Sequence, residues 1–346
     1  MRGLRISFRM LLVPLLVVVL VAAWAAWWWL SGTLFRQFLD SFVAAERARG
    51  TEIHFTGPRL GGFPLGVHAT FTDVAFSRPD GLSWQAPEVD VGVPLWQPGA
   101  LHLRVVGHQE LRLPAGQQPA AVTADGAEGR LILGGAQGFT EARLVLSGLG
   151  LPQATAVRVK LGFDAPAAAV TAHTDAGLVV TVTAEGIQAP AAGSLSLGPA
   201  IESLAVTARV MGAPPRLDPD SLSAWSRNGG TLELDTASLH WGPLALGAEG
   251  SLSLDQELQP VGSITAEVAG FKPAIEALVA AGWIKAKAGQ TVSAVLTGLV
   301  ERPEGAPPPP NPTARIPISL HDRFVHIGPF RLAPLPPVVW QRPAAG

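Results

Sequence analysis

Residues 231–268 read TLELDTASLHWGPLALGAEGSLSLDQELQPVGSITAEV. Three runs within them, 231–235, 244–254 and 264–268, are bounded by turn residues and repeat with a period near two, as pleated strands do. Glu233 and Asp235 fall on one face of the first run. A strand with one dry and one wet face belongs to an antiparallel sheet, which packs on one side and is solvated on the other. The pattern continues outward in both directions. Towards the N-terminus, 52–55 opens a strand, Gly61-Gly62-Phe63-Pro64-Leu65 turns, and 67–76 alternates around His68, Thr70 and Thr72. Asp80-Gly81 is a hairpin signal, and strands follow at 84–89, 101–105, 131–133, 144–146, 157–161 and 179–183. Towards the C-terminus, 315–339 forms the last strands, ended by Pro334, Pro336 and Pro337.

The composition agrees. Charged residues are 15% and hydrophobic residues 48%, with 38 Gly and 31 Pro, a turn-rich β composition too apolar for a disordered linker. Two helices interrupt the strands. Asp218 is an N-cap with Pro219 at the first helical position, and the helix near 218–227 stops before Asn228-Gly229-Gly230. Residues 271–287 read as one longer helix, with Ile275, Leu278, Val279, Gly282 and Trp283 on one face. These helices plug the apolar face of the sheet or, alternatively, form a movable lid over a groove.

Residues 10–35 carry no charge and exceed the ~20 helical residues that cross a bilayer core. Trp24, Trp27, Trp28 and Trp29 crowd one end, where amphipathic rings favour the headgroup level, and Arg2, Arg5 and Arg9 crowd the other. A cleaved signal peptide has a shorter apolar core, about 7–15 residues, so an uncleaved anchor is the better reading. The arginines place the N-terminus in the cytoplasm and the remaining chain across the membrane. Residues 33–49 continue as an amphipathic helix, a stalk or a helix lying in the outer interface, and Gly50 stops it.

No catalytic constellation is present. With no Cys there is neither a disulfide framework nor a thiolate nucleophile or metal ligand. His54, His68, His102, His108, His173, His240, His321 and His326 form no HExxH motif or cluster. Of the close pairs, only His102 and His108 have the even spacing that shares a strand face. No Gly-x-Ser-x-Gly elbow or phosphate-cradling loop appears. Glu88 with Asp90, and Glu233 with Asp235, read as solvated faces. The net charge is −2 with no basic stripe, which argues against nucleic acid as a partner. No catalytic, metal or cofactor residue is assigned and no cofactor is expected.

The residues that stand out are structural: the tryptophan-rich span, Gly62-Phe63-Pro64, Trp84-x-Ala86-Pro87, Gly229-Gly230, Leu239-His240-Trp241-Gly242-Pro243-Leu244 and Val325-His326-Ile327-Gly328-Pro329. On these motifs the chain resembles a family of uncharacterised bacterial envelope proteins, the domain of unknown function numbered 2125. The resemblance implies an inner-membrane protein facing the periplasm and implies no activity. The repeated short strands are also similar to AsmA-like envelope proteins, which are associated with lipid handling. Gly-Pro pairs at Gly198, Gly242 and Gly328 sit near one and two units of a ~43-residue repeat.

The expected organisation is a cytoplasmic tail (1–9), a transmembrane anchor (10–33), a stalk (34–50), β-rich halves at 51–190 and 191–300, a Pro-rich linker (301–313) and C-terminal strands and tail (314–346). The expected fold is mainly β: a transmembrane helix, then an extended antiparallel sheet, curved or as a sandwich, with two packing helices. The expected role is non-enzymatic. Many one-sided strands and two helices to cover them point to an envelope factor binding a lipid or apolar ligand. The alternative is a scaffold subunit with an envelope protein partner, in which two sheets pack on each other.

Overall fold

The computed structural model describes residues 8–113, 120–188, 197–216, 218–282, 284–300, 312–327, 330–338 and 340. The chain divides into two compact units, 1–130 and 131–346. Among the described residues there are four helices and fifteen strands, and the fold is mainly antiparallel β.

The first unit opens with α1 (Phe8–Ala48), 41 residues long. It unites the expected anchor and stalk in one unbroken helix, since residues 33–48 contain neither Gly beyond Thr33 nor Pro to break it. Gly50, at φ +82°, ends it, and Arg47 reaches past the end to donate to the Ile53 carbonyl (2.8 Å). This is the one helix among the described residues long and apolar enough to cross a membrane.

Five strands follow in chain order: β1 (Glu52–Gly61), β2 (Gly66–Ser77), β3 (Ser83–Pro94), β4 (Ala100–Leu113) and β5 (Ala120–Leu133), in which the unit boundary falls. Pairing sets Val67 against Val93, Ala69 against Val91 and Phe71 against Val89, then Val89 against Val105 and Val91 against Leu103. Side chains of one parity thereby share a face, and Val67, Ala69, Phe71, Val89 and Val105 on it are buried. Phe55 meets Phe71 edge-on at 5.2 Å. Asp80-Gly81 makes the expected β2–β3 turn, closed by Arg78 N–H donating to the Leu82 carbonyl (2.8 Å).

The second unit is an open meander of ten strands: β6 (Phe139–Leu151), β7 (Ala154–Asp164), β8 (Ala176–Ile187), β9 (Ile201–Met211), β10 (Leu232–Trp241), β11 (Leu244–Leu254), β12 (Pro260–Ala269), β13 (Thr313–His321), β14 (Phe324–Ile327) and β15 (Phe330–Pro334). Of an open sheet and two stacked sheets, this unit has the open one. Helix α2 (Pro219–Arg227) stands between β9 and β10, with Asp218 accepting from the Ser221 N–H (2.9 Å) and hydroxyl (2.8 Å).

The single helix read over 271–287 is instead two, α3 (Phe271–Ala280) and α4 (Ala286–Gly298). The break lies at Gly282, whose φ of +77° no right-handed helix contains. The apolar residues Ile275, Leu278 and Val279 that suggested the longer helix all lie in α3, and α4 packs separately, against α3 and β13. Val268, Phe271, Ile275, Val300, Ala314 and Ile316 form the buried cluster beneath them, and Phe271 is the largest fully buried side chain among the described residues. A neighbouring cluster joins Leu197, Ala274 and Ala277 to Trp241 and Leu244.

Candidate functional site: an apolar sheet face

The strand register of the second unit aligns one apolar face across successive strands. Leu144 stands opposite Leu161, Leu161 opposite Val182, Val182 opposite Val206 and Val206 opposite Ala237. A second row runs Phe163, Val180, Ala208, Leu234, Gly250, Ile264 and Ile318. A one-residue slip in any strand would turn its apolar set to the other side, so this continuity is a property of the register rather than of composition alone.

The opposite face is charged. Arg158 (3.8 Å) and Lys160 (3.7 Å) pair with Glu185, Arg143 with Asp164 (2.6 Å), and Arg315 with Glu249 (3.7 Å) and Glu267 (4.0 Å). Arg209 grips Asp235 through Nε (2.9 Å) and Nη2 (2.6 Å), and these hydrogen bonds raise its pKa above the usual arginine value. Glu233 accepts separately from Thr231 (2.8 Å) and Ser251 (2.9 Å). The two carboxylates of this strand thus serve different partners. Exposed pairs of this kind add little stability and mark the solvated side.

Coverage of the apolar face is uneven. Over β12 and β13, where α3 and α4 lie, Val268, Ala314 and Ile316 are buried. Across β6–β9 the buried hydrophobic residues are Ala156, Ala184 and Ala208 only, while Leu144, Leu161, Phe163, Val180, Val182 and Val206 are half-buried. Helix α2 does not extend over them. It is fastened at strand ends, with Trp225 Nε1 donating to the Met211 carbonyl (2.8 Å) and Ser226 Oγ to that of Leu254 (2.5 Å). Four strands at ~4.8 Å spacing, each contributing about six residues at ~3.3 Å, give this half-buried stretch a footprint of roughly 400 Å². Exposed patches on monomers that reach about 300–600 Å² are often functional.

The residues singled out in the sequence divide into three groups. The first is α1 with the β1–β2 turn: Trp24 Nε1 donates to the Pro64 carbonyl (2.7 Å), Trp28 Nε1 to that of Gly66 (2.6 Å), and Trp28 meets Phe63 edge-on at 5.6 Å. Gly62, at φ +100°, permits the turn, and its carbonyl accepts from the Leu65 and Gly66 N–H groups (2.9 Å each). Trp27 and Trp29 are exposed. The second group braces strands. Trp84 Nε1 donates to Gln109 Oε1 (3.1 Å), and Pro87 stacks where a side chain on Gly107 would be. Trp241 Nε1 donates to the Gly198 carbonyl (3.3 Å), Gly242 passes against Leu197, and the Pro243 carbonyl sits against Gly270. The third group lies beyond the described side chains: Arg2, Arg5, Gly328 and Pro329 are outside the described residues, as is most of the linker, and Arg9 falls in the stretch of α1 whose side chains are not described.

The histidine pairing differs from expectation. His321 and His326 stack with ring centroids 3.9 Å apart and planes 3° apart. The odd spacing misleads because the two residues sit on different strands: β13 and β14 form a tight hairpin in which Ser319 opposes His326, leaving His321 its diagonal neighbour on the same face. His102 and His108 are separated by Gly107, at φ +91°, and His108 instead meets Asp125 (3.2 Å). In the same region Glu110 accepts from Arg112 (2.7 Å), which holds its pKa below the usual carboxylate value. Among the described residues no group of three or more His, Asp and Glu is placed to hold a metal ion.

No sequence signal marks the α1 contact with the β1–β2 turn, because nothing in their spacing ties Trp28 to Phe63. The alignment of the dry faces was likewise invisible, since it depends on bulges such as those in β10 that alternation does not locate.

No curated protein matches the chain, and no solved structure matches it. A family model matches residues 27–336, from the tryptophans of α1 to beyond the last strand. The chain therefore belongs to the family described as an uncharacterized protein conserved in bacteria, DUF2125.

Proposed function

We propose that this protein is a non-enzymatic factor of the bacterial cell envelope, anchored in the inner membrane by α1, that holds a lipid or other apolar ligand against the dry face of β6–β10. The observation that carries the reading is the uneven cover on that face. Helices bury it over β12 and β13, and aliphatic side chains continue half-buried beyond them. A bound acyl chain would remove both its own surface and the protein's from water. At ~0.8 kcal/mol per buried methylene, ten methylenes would contribute about 8 kcal/mol before ordering costs. The arginines at the N-terminus and the uncharged run after them support a cytoplasmic N-terminus, with the sheet in the periplasm.

The test compares adjacent positions on opposite faces. Val182 lies on the dry face and Thr183 on the wet one. Full-length protein carrying Val182→Asp or Thr183→Asp would be purified identically and its retained lipid quantified by organic extraction and mass spectrometry. Lipid held by the anchor is common to both and cancels. The expected result is a stoichiometric lipid retained by wild type and Thr183→Asp and lost from Val182→Asp. Equal retention in all three would sink the ligand reading and leave the face to a protein partner, the scaffold role.

A further inference from the structure

The second unexplained surface is at one end of the first unit. Leu95 N–H donates to the Leu65 carbonyl (3.1 Å), which holds the β3–β4 turn beside the β1–β2 turn. From these two turns Phe63 is 52% exposed, Leu65 61% and Trp96 68%. Neither 60–67 nor 91–101 contains a charged residue. The opposite end of the same strands is charged, with Arg78 and Asp80 paired at the β2–β3 turn (3.4 Å). Large apolar side chains exposed together on uncharged turns are costly in water. Here Trp28 meets only one edge of Phe63, and the charge beside the turns is Arg130, which donates to Gln97 Oε1 (3.4 Å).

Their position relative to α1 identifies the occupant. The turn is fastened to the helix at Trp24 and Trp28. Counting back from Trp28 to Arg9 at ~1.5 Å per residue gives about 28 Å, close to the ~30 Å thickness of a bilayer core. With the arginines at one face of the membrane, Trp28 falls at the other, the level tryptophans favour. The β1–β2 turn bonded to it, and the β3–β4 turn held beside that one, fall near the same level. We infer that Phe63, Leu65 and Trp96 enter the outer interface of the bilayer that α1 crosses, so that the end of the sheet rests on the lipid surface instead of hanging from a free stalk. This inference rests on the anchor reading of α1.

The absence of native Cys makes the test direct. Single-cysteine forms of the full chain, Leu65→Cys, Trp96→Cys, Asp80→Cys and Leu20→Cys, would be labelled with an environment-sensitive fluorophore. They would then be reconstituted in phosphatidylethanolamine–phosphatidylglycerol vesicles. Probes at 20, 65 and 96 should be quenched several-fold more by a doxyl-labelled lipid than by aqueous iodide, and the probe at 80 the reverse. If 20 reports lipid while 65 and 96 behave like 80, the docking surface is refuted and the anchor stands. If 65 and 96 are shielded from both quenchers, a second copy covers them and the inference is equally overturned. If 20 itself reports water, the anchor reading fails and takes the inference with it.

Discussion

Two glycines flank α3 and share a left-handed backbone, yet the structure makes their side-chain space opposite. Gly270 is the N-cap of α3 at φ +69°, and a Cβ there would stand 1.7 Å from the Pro243 carbonyl oxygen and 2.6 Å from its carbon. Gly282, at φ +77°, has nothing within 4 Å of that position. Replacing either by Ala forces an L-residue into the left-handed region at about 1–2 kcal/mol. Both gain the same ~0.4–1 kcal/mol from a stiffer unfolded chain, so that term cancels between them. What remains is the collision. The Pro243 carbonyl is backbone, joined to Leu244 at the start of β11, and cannot rotate away. Relief requires α3 to shift, which loosens Phe271 and Ile275 in the cluster on β12 and β13. Overpacking of this kind adds about 1–3 kcal/mol. At roughly 2–4 °C per kcal/mol for a unit of this size, Gly270→Ala should melt about 2–12 °C below Gly282→Ala. Circular dichroism of the two full-length variants in the same detergent measures the difference. Melting points within about a degree of each other would show that close approach to Pro243 does not hold α3 in place, and would refute the packing argument.

The other predictions concern α2. In Gly230→Ala the new Cβ would lie 2.3 Å from Trp225 Cε2 and 2.4 Å from its Nε1, so the ring must leave the Met211 carbonyl. The expected loss is about 2–4 kcal/mol from overpacking and the broken hydrogen bond, read as a lower unfolding midpoint in denaturant. Asp218→Ala should lower the melting temperature at neutral pH. The Ser221 N–H and hydroxyl hold the Asp218 carboxyl below its usual value of 3.8, so its contribution is present above that value and lost as pH falls through the lower folded value. The difference between wild type and variant should therefore close in acid, and a constant gap across a pH series would contradict the capping role.

Much of the fold was legible because its signals are local. Asp218-Pro219 and Asn228-Gly229 bracket α2, Asp80-Gly81 marks a turn, and two-residue alternation locates most strands. What stayed hidden depends on contacts distant in sequence. The apolar residues of 271–287 are compatible with a continuous helix, and only the Gly282 conformation shows that the helix ends there and a second one starts at Ala286. The His321–His326 stack required the hairpin to be known first. Short motifs such as Gly62-Phe63-Pro64 and Trp241-Gly242-Pro243 were visible as unusual residues. Their partners, Trp28 in one case and Gly198 in the other, were not.

The strand order carries a consequence for how the second unit is made. From β6 to β15 each strand bonds only to the strands next to it in the chain. Most pairings thus close short loops, the longer ones being β9–β10, which spans α2, and β12–β13, which spans α3, α4 and the Pro-rich segment. Closure entropy grows slowly with length while folding rates fall steeply with sequence separation. The unit can grow by adding one hairpin arm at a time to an existing edge, each new strand completing the row of apolar residues on the last. Such growth proceeds along the chain as synthesis delivers it, without waiting for the C-terminus. It also makes the sheet behave like a repeat protein, in which losing or gaining a hairpin perturbs its two neighbours and leaves more distant strands in register.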